Sequence, residues 1–194
     1  MMNKKRTLTQ GLRNAAILTA GALVLMADAP KGWFLAGDHP QNYETGVDAQ
    51  TSYEGRPSAY LKYTGSEAKG FGTLMQSFQA DQYAGKRVRF SAEVKAEGVQ
   101  EWAGLWMRVD KGTKAVSFDN MQDRAIKGTG GWQHYAVVLD VPADATGIAF
   151  GILLSKTGEV WINGANFEVV ESNVPVTKEG SGVNTSPSNL GFEK

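Results

Sequence analysis

Apolar and polar residues alternate with a period of two along several short stretches of the chain. The clearest stretch is 87–95, in which every second residue is apolar and the residues between are charged or polar. A period of two is typical of a strand that buries one face and exposes the other to solvent. This stretch therefore predicts a strand of a half-buried sheet.

Runs with the same strand-like character recur further along the chain, with turn-forming residues between them. The last three runs are rich in Val, Ile, Phe and Trp, and are separated by Pro142-Ala143-Asp144 and by Lys156-Thr157-Gly158. The other predicted strands are 59–63, 71–79, 102–110, 115–118, 132–139, 148–154 and 160–170. Short strands with turns about every 8–12 residues, and no helical run after residue 30, predict an all-β sandwich.

Composition narrows the class of function. The 194 residues suffice for one sandwich-sized domain, and the 23 glycines fit a fold with many tight turns. A formal net charge of +0, with no long segment of one sign, argues against nucleic acid as the main partner. The absence of cysteine excludes disulfides and thiol chemistry, and two histidines argue against a histidine-rich metal site.

The amino terminus has the layout of an export signal. Basic residues from Lys4 to Arg13 precede an uncharged apolar run at 15–26, and Ala27-Asp28-Ala29 matches a signal-peptidase site. Residues 1–29 are therefore predicted to be a signal peptide or membrane anchor, which places the protein in the periplasm or outside the cell. The alternative is a cytoplasmic protein whose translation starts at Met26.

The strand 102–110 carries the strongest candidate for ligand chemistry. One face consists of apolar residues that are expected in the core, and the other consists of Trp102, Gly104, Trp106, Arg108 and Asp110. An exposed indole stacks on the apolar face of a sugar ring, charged groups bond to hydroxyls, and Gly104 leaves space for a ligand. Trp106, Arg108 and Asp110 are therefore predicted to bind ligand; the alternative is a second packed face with Arg108 and Asp110 as an ion pair.

Polar residues near this strand are predicted to border the same cleft. The stretch 118–124 supplies Asp119, Asn120 and Gln122, although such a polar segment could equally be a solvated loop. Gln76 lies in the middle of an otherwise apolar strand. A polar side chain inside a sheet needs a partner, which a ligand hydroxyl or Arg108 could supply.

No catalytic residue is predicted. His134 in a strand reads as a structural histidine rather than a base, and no serine lies in a nucleophile-elbow context. Phosphate-loop and EF-hand patterns are absent from the sequence. Asp110, Asp119 and Asp123 are close in sequence, but their separation in space is not fixed by it.

Four blocks together carry a family resemblance: 70–78 (GFGTLMQSF), 102–110 (WAGLWMRVD), 118–124 (FDNMQDR) and the run 131–170. They resemble bacterial galactose-binding-like and carbohydrate-binding-module jelly rolls, a domain found alone or attached to helix-turn-helix regulators and to hydrolases. The resemblance covers residues 31–170 and implies an antiparallel jelly-roll β-sandwich at 30–170. It implies a non-catalytic, secreted module for carbohydrate or a small polar ligand, in its stand-alone form.

The resemblance also implies features outside the sandwich. Residues 171–186 read as a flexible linker, whereas Asn189-Leu190 to Phe192-Glu193 resembles the first strand of such jelly rolls. Residues 187–194 could thus return as a strand or fray as a tail. Relatives often bind structural calcium through a first-strand glutamate, here Glu193, but Asn163-Gly164 replaces the usual last-strand acidic pair.

A second class of function stays open. Some calcium-dependent cyclases resemble these jelly rolls and use an aspartate between aromatic walls for acid catalysis. Asp110 or Asp119 beside Trp106 could play that part here.

Overall fold

The structure is a computed structural model that describes residues 29–177. The described residues form nine antiparallel strands and two single turns of 3₁₀-helix, at Pro40–Asn42 and Gln122–Arg124. The strands are β1 Phe34–Gly37, β2 Tyr43–Tyr53, β3 Arg56–Tyr63, β4 Phe71–Gln79, β5 Arg87–Lys111, β6 Lys114–Asp119, β7 Ile126–Asp140, β8 Gly147–Ser155 and β9 Glu159–Val170. Each predicted strand lies within or overlaps one of these, but β1 and β2 were not predicted.

The long strand β5 joins two layers of sheet. Its first half pairs with β7 and β9, and its second half pairs with β8 and β6. The first layer therefore has the order β7-β5-β9-β3-β2 and the second the order β6-β5-β8-β4-β1. The sequence predicted two strands, at 87–95 and 102–110, where there is one. The strand bends without ending, because its register shifts three times between Val94 and Ala103 and Gly98 has a φ of 59°.

The core lies between the two layers and is dominated by aromatic rings. The Phe150 ring on β8 lies 4.7 Å from that of Phe90 on β5 and 5.1 Å from that of Phe167 on β9, so the layers contact through these rings. The apolar side of the first half of β5 is buried as the alternation predicted. This arrangement confirms the antiparallel jelly-roll sandwich.

The segment after β9 is fixed to the first layer along its described length. The Arg87 guanidinium donates 2.6 Å hydrogen bonds to the carbonyls of Ser172 and Val174. The backbone N–H of Thr177 donates a hydrogen bond to the carbonyl of Val138 on β7, and the Thr177 hydroxyl accepts one from the Val138 N–H. Residues 171–177 of the predicted linker are thus attached to the first layer as turns and irregular backbone.

Several predictions fall outside the described residues. They concern the export signal up to residue 28, the tail strand 187–194 and the calcium ligand Glu193. Within residues 29–177 there is no helix long and apolar enough to cross a membrane.

Candidate functional site

Aromatic and charged side chains lie together on the outer face of the first layer, beside the tip of the β2–β3 hairpin. We call this group of side chains the hairpin cleft. The ring of Tyr53, at this tip, lies 5.3 Å from the ring of Trp132 on β7. Strands β2 and β7 are opposite edges of the first layer. The hairpin tip therefore folds across the outer faces of β9 and β5.

The hairpin turn has the local sequence that such a tip needs. Tyr53 pairs with Arg56, so the turn consists of Glu54 and Gly55. Both residues have positive φ, 49° and 75°, as in the two-residue turns that match strand twist. Glu54 and Gly55 therefore form a tight two-residue turn.

Two polar residues, the buried Asn163 and the half-buried Asp48, hold the hairpin down. The Asn163 carboxamide donates hydrogen bonds to the carbonyls of Arg56 (3.0 Å) and Pro57 (2.9 Å) and to the Ser58 hydroxyl (3.0 Å). Its oxygen accepts the backbone N–H of Gly164. Asn163 is therefore fully committed to anchoring the hairpin to β9.

Asp48 is the second anchor. Its carboxylate accepts backbone N–H groups of Gln50 and Thr51 and the indole N–H of Trp161. The Thr51 hydroxyl, and then these N–H groups, lower the pKa of Asp48 to about 2. The carboxylate is thus held ionised across the physiological pH range.

Beneath the hairpin, residues directly opposite one another on β5, β9 and β3 form the base of this group, and Trp161 among them is only 5% exposed. Lys95 pairs with Trp161, and Trp161 pairs with Tyr60. The Lys95 ammonium lies 4.6 Å from the centroid of the Trp161 ring, a cation–π contact. A side chain at Gly46 would come within 2.8 Å of the Tyr60 ring, so glycine there lets this ring lie over β2.

The walls offer both stacking surfaces and hydrogen-bonding groups. Tyr53 and Trp132 are half-buried, so part of each ring reaches solvent. Glu93 bonds the His134 imidazole at 2.9 Å, and 61% of the His134 side chain is exposed. Desolvation, and next the Glu93 carboxylate, raise the pKa of Tyr53. Chemically, this arrangement can hold a ring-shaped polar molecule.

The predicted site residues Trp106, Arg108 and Asp110 lie on the outer face of the second layer, not in the hairpin cleft. Trp106 is only 7% exposed, and its indole N–H donates to the Thr73 hydroxyl at 2.7 Å. It packs in a small apolar cluster with Ala149 and Leu153. The expectation of an exposed tryptophan is therefore wrong. Arg108 and Asp110 form a 2.9 Å ion pair, as the alternative interpretation stated.

The neighbouring loop has a structural role that the sequence did not indicate. A side chain at Gly104 would come within 2.9 Å of the Met121 Cβ and 3.0 Å of the Asn120 carbonyl oxygen. The space at Gly104 is therefore taken by this loop rather than left for a ligand. The Asn120 side chain accepts the backbone N–H of Gln122, whose side chain is exposed.

Asp119 lies beneath the surface. It is 0% exposed and accepts hydrogen bonds from Arg124 (2.6 Å), Thr177 (2.6 Å) and the Met121 backbone (2.9 Å). Burial acts to raise its pKa, but the bonds from Arg124 and Thr177 outweigh it and the net pKa is lowered. Asp119 therefore ties the loop to the segment after β9 and does not face solvent.

Gln76 lies on the opposite side of β4 from the predicted cleft. It pairs with Phe150, whose ring points into the core, and it lines a cavity between the layers. The expectation that Gln76 borders the Trp106 face is wrong, because alternate residues of a strand point to opposite faces. In the described part of the chain, no cluster of three or more histidines and carboxylates could hold a metal ion.

The chain is similar to part of a bacterial regulator. It is 48% identical over 168 residues to a protein described as an uncharacterized HTH-type transcriptional regulator, YbfP, from Bacillus subtilis (strain 168). The match takes in 84% of this chain but 57% of that protein, so the chain spans little more than half of the relative's length. No protein-family model matches the chain.

Solved structures with the same fold include xylan-binding domains. The CBM22-1 domain of Paenibacillus barcinonensis Xyn10C has a TM-score of 0.51 at 17% identity, over 76% of this chain and 91% of that one. A second xylan-binding domain of family 22 also has a TM-score of 0.51, at 14% identity, over 74% and 90%. The chain has the jelly-roll fold of these carbohydrate-binding modules. Tailspike protein 4 of bacteriophage CBA120 contains the fold too, with a TM-score of 0.52 at 17% identity, over 72% of this chain and 20% of that one.

The hairpin cleft of this jelly-roll domain was missed at the sequence level. The polar side of the stretch 87–95 already held Glu93 and Lys95, and Trp132 and His134 share a face of their strand. What the sequence lacked was the pairing that places Trp161 beside Lys95 and the hairpin that brings Tyr53 across the sheet.

Proposed function

We propose that this domain is a non-catalytic carbohydrate-binding module that holds its sugar in the hairpin cleft. The observation that carries this proposal is the half-exposed ring pair Tyr53 and Trp132, with Glu93 and His134 beside it. Aromatic rings stack on the apolar face of a pyranose, while the carboxylate and imidazole bond to its hydroxyls. The xylan-binding domains that share the fold make a β-linked xylan chain the first ligand to test.

The outer face of the second layer is the second candidate site. Arg108 remains exposed there, opposite Phe118, of which 42% is exposed. The predicted ligand contacts of Arg108 and Asp110 stay a prediction. Trp106 is buried in this face, whereas Trp102 and Phe71 are partly exposed there beside Phe118, so this face also presents aromatic surface.

The cyclase alternative lacks support from the carboxylates that it would use. Acid catalysis needs a carboxyl group that holds a proton near neutral pH. Asp110 is ion-paired with Arg108, and Asp119 is ion-paired and has a lowered pKa. A binding role therefore fits these groups better than an acid role.

Localisation is a separate proposal. We propose that residues 1–29 direct export, which would place the domain in the periplasm or outside the cell. The alternative is a cytoplasmic chain that starts at Met26, for which the similarity to a protein described as a transcriptional regulator is the supporting observation. The mass of the protein purified from its native host distinguishes a cut after Ala29 from an intact chain or one that starts at Met26.

The site is tested by titrating the full chain with xylohexaose, measured by calorimetry. We expect Trp132→Ala to weaken binding about tenfold or more, because the stacking surface is lost, and Arg108→Ala to leave it unchanged. If Arg108→Ala weakens binding and Trp132→Ala does not, the site is the second-layer face. If xylohexaose does not bind at all, a glycan array on the same protein decides whether another sugar does.

A further inference from the structure

A cavity between the two layers lies apart from both outer faces. Its volume is about 590 Å³, within the range of small-molecule sites, and it lies where β4 leads into the segment before β5. Its walls include the rings of Phe78, Tyr83, Phe150 and Phe167. The proposed sugar site does not use this cavity.

The ring geometry of the wall points to the shape of a ligand. Phe78, Tyr83 and Phe167 contact one another with centroids 5.1–5.5 Å apart and interplanar angles of 57–89°. Rings so inclined form no flat platform for a pyranose. They do offer edges and faces against which one more aromatic ring can pack edge to face.

A polar side chain at the cavity indicates that the ligand carries a hydrogen-bonding substituent. The half-buried Gln76 carboxamide lines it and has no hydrogen-bond partner among residues 29–177. Such a group gains a bond when a ligand supplies a complementary donor or acceptor. Asp81 is the charged residue among the described lining residues, so an anionic ligand is disfavoured.

We propose that this cavity is a second binding site, for a small neutral aromatic molecule whose amide or hydroxyl group pairs with Gln76. The ring of the ligand packs edge to face against Tyr83 and Phe167. Its polar substituent takes the free hydrogen-bonding capacity of the Gln76 carboxamide. The site is independent of the hairpin cleft, since the two lie on opposite sides of the first layer.

The test is an NMR titration of the full chain with benzamide, following the Gln76 side-chain amide and the Tyr83 ring. We expect saturable shifts of both, weaker shifts with benzoate, and weaker shifts with cyclohexanecarboxamide, which keeps the amide but has no planar ring. Gln76→Met should weaken benzamide binding about tenfold through the lost hydrogen bond. Gln100→Met, at an exposed glutamine of β5 that does not line the cavity, should leave it unchanged.

Three results would overturn the proposal. The first is no shift at Gln76 and Tyr83 up to the solubility of benzamide. The second is equal binding of cyclohexanecarboxamide, which would show that no aromatic ring is recognised. The third is unchanged binding in a folded Gln76→Met variant. Xylohexaose binding in the same samples reports on the hairpin cleft separately, so either site can fail alone.

Discussion

The indole N–H of Trp161 donates a 3.0 Å hydrogen bond to the carboxylate of Asp48. Trp161 lies on β9 near the middle of the first layer, and Asp48 lies where β2 leaves its regular pairing with β3. The bond therefore ties the hairpin tip to the sheet that it covers. Whether the cleft keeps its shape depends on this tie and on the one at Asn163.

The Asp48 tie predicts an acid-sensitive cleft. Its folded-state pKa of about 2 lies below the ordinary value of 3.8, so its stabilising contribution is present above pH 3.8 and is lost as pH falls towards 2. We expect the tryptophan fluorescence of the protein, to which Trp161 is one of five contributors, to change as the pH falls from about 4 towards 2, before the sandwich unfolds. Asp48→Asn should remove this transition. If the transition persists in this variant, another titrating group causes it.

The Asn163 anchor makes a prediction about stability. Asn163→Ala leaves the carbonyls of Arg56 and Pro57 without their donor, and should lower the free energy of unfolding by about 1–3 kcal/mol. Urea denaturation measures this. The matched control is Asn166→Ala, because its exposed side chain donates a hydrogen bond to the Glu168 side chain and to no other residue in the described part of the chain, so its effect should stay within about 0.5 kcal/mol. Equal effects would mean that the hairpin anchor is unimportant.

The buried carboxylate Asp119 and the exposed Asp123 share one partner, Arg124. Asp119→Ala should cost about 3 kcal/mol, at the lower end for a broken buried pair because a third of the Arg124 side chain reaches solvent. Asp123→Ala removes a pair whose carboxylate is 62% exposed, and should cost less than about 1 kcal/mol. Thermal unfolding of the two variants should therefore separate them clearly. Similar melting temperatures would show that burial does not strengthen this pair.

Much of the fold followed from residue periodicity. The alternation at 87–95 and the runs from 132 onward correspond to strands in the structure, because strands with one buried face leave a period of two in the sequence. The strand β2 was missed, since its sequence YETGVDAQTSY has few apolar residues, and its buried Thr45 and Gly46 are covered by Tyr60 of β3. Local pattern cannot report burial that comes from another segment.

The candidate site was harder to predict from the sequence for the same reason. The face of Trp106 was correctly separated from the core face of β5, but its exposure was not predictable. Whether a tryptophan on an outer face stacks on ligand or is buried depends on neighbours, here Ala149 and Leu153 from β8. Those neighbours are set by strand order, which the sequence does not state.

Trp106 provides the sharpest test between the two faces. Because its side chain is 7% exposed and its N–H bonds Thr73, Trp106→Phe removes packing and a hydrogen bond, and should destabilise the domain by about 1–3 kcal/mol. If the hairpin cleft is the sugar site, the folded variant should bind xylohexaose with unchanged affinity while its melting temperature falls.

Trp132→Phe, at a half-buried ring of the cleft, should show the reverse: weaker binding with little loss of stability. Calorimetric titration and thermal unfolding of both variants give the two quantities. Weaker binding in Trp106→Phe with normal binding in Trp132→Phe would move the site to the second layer.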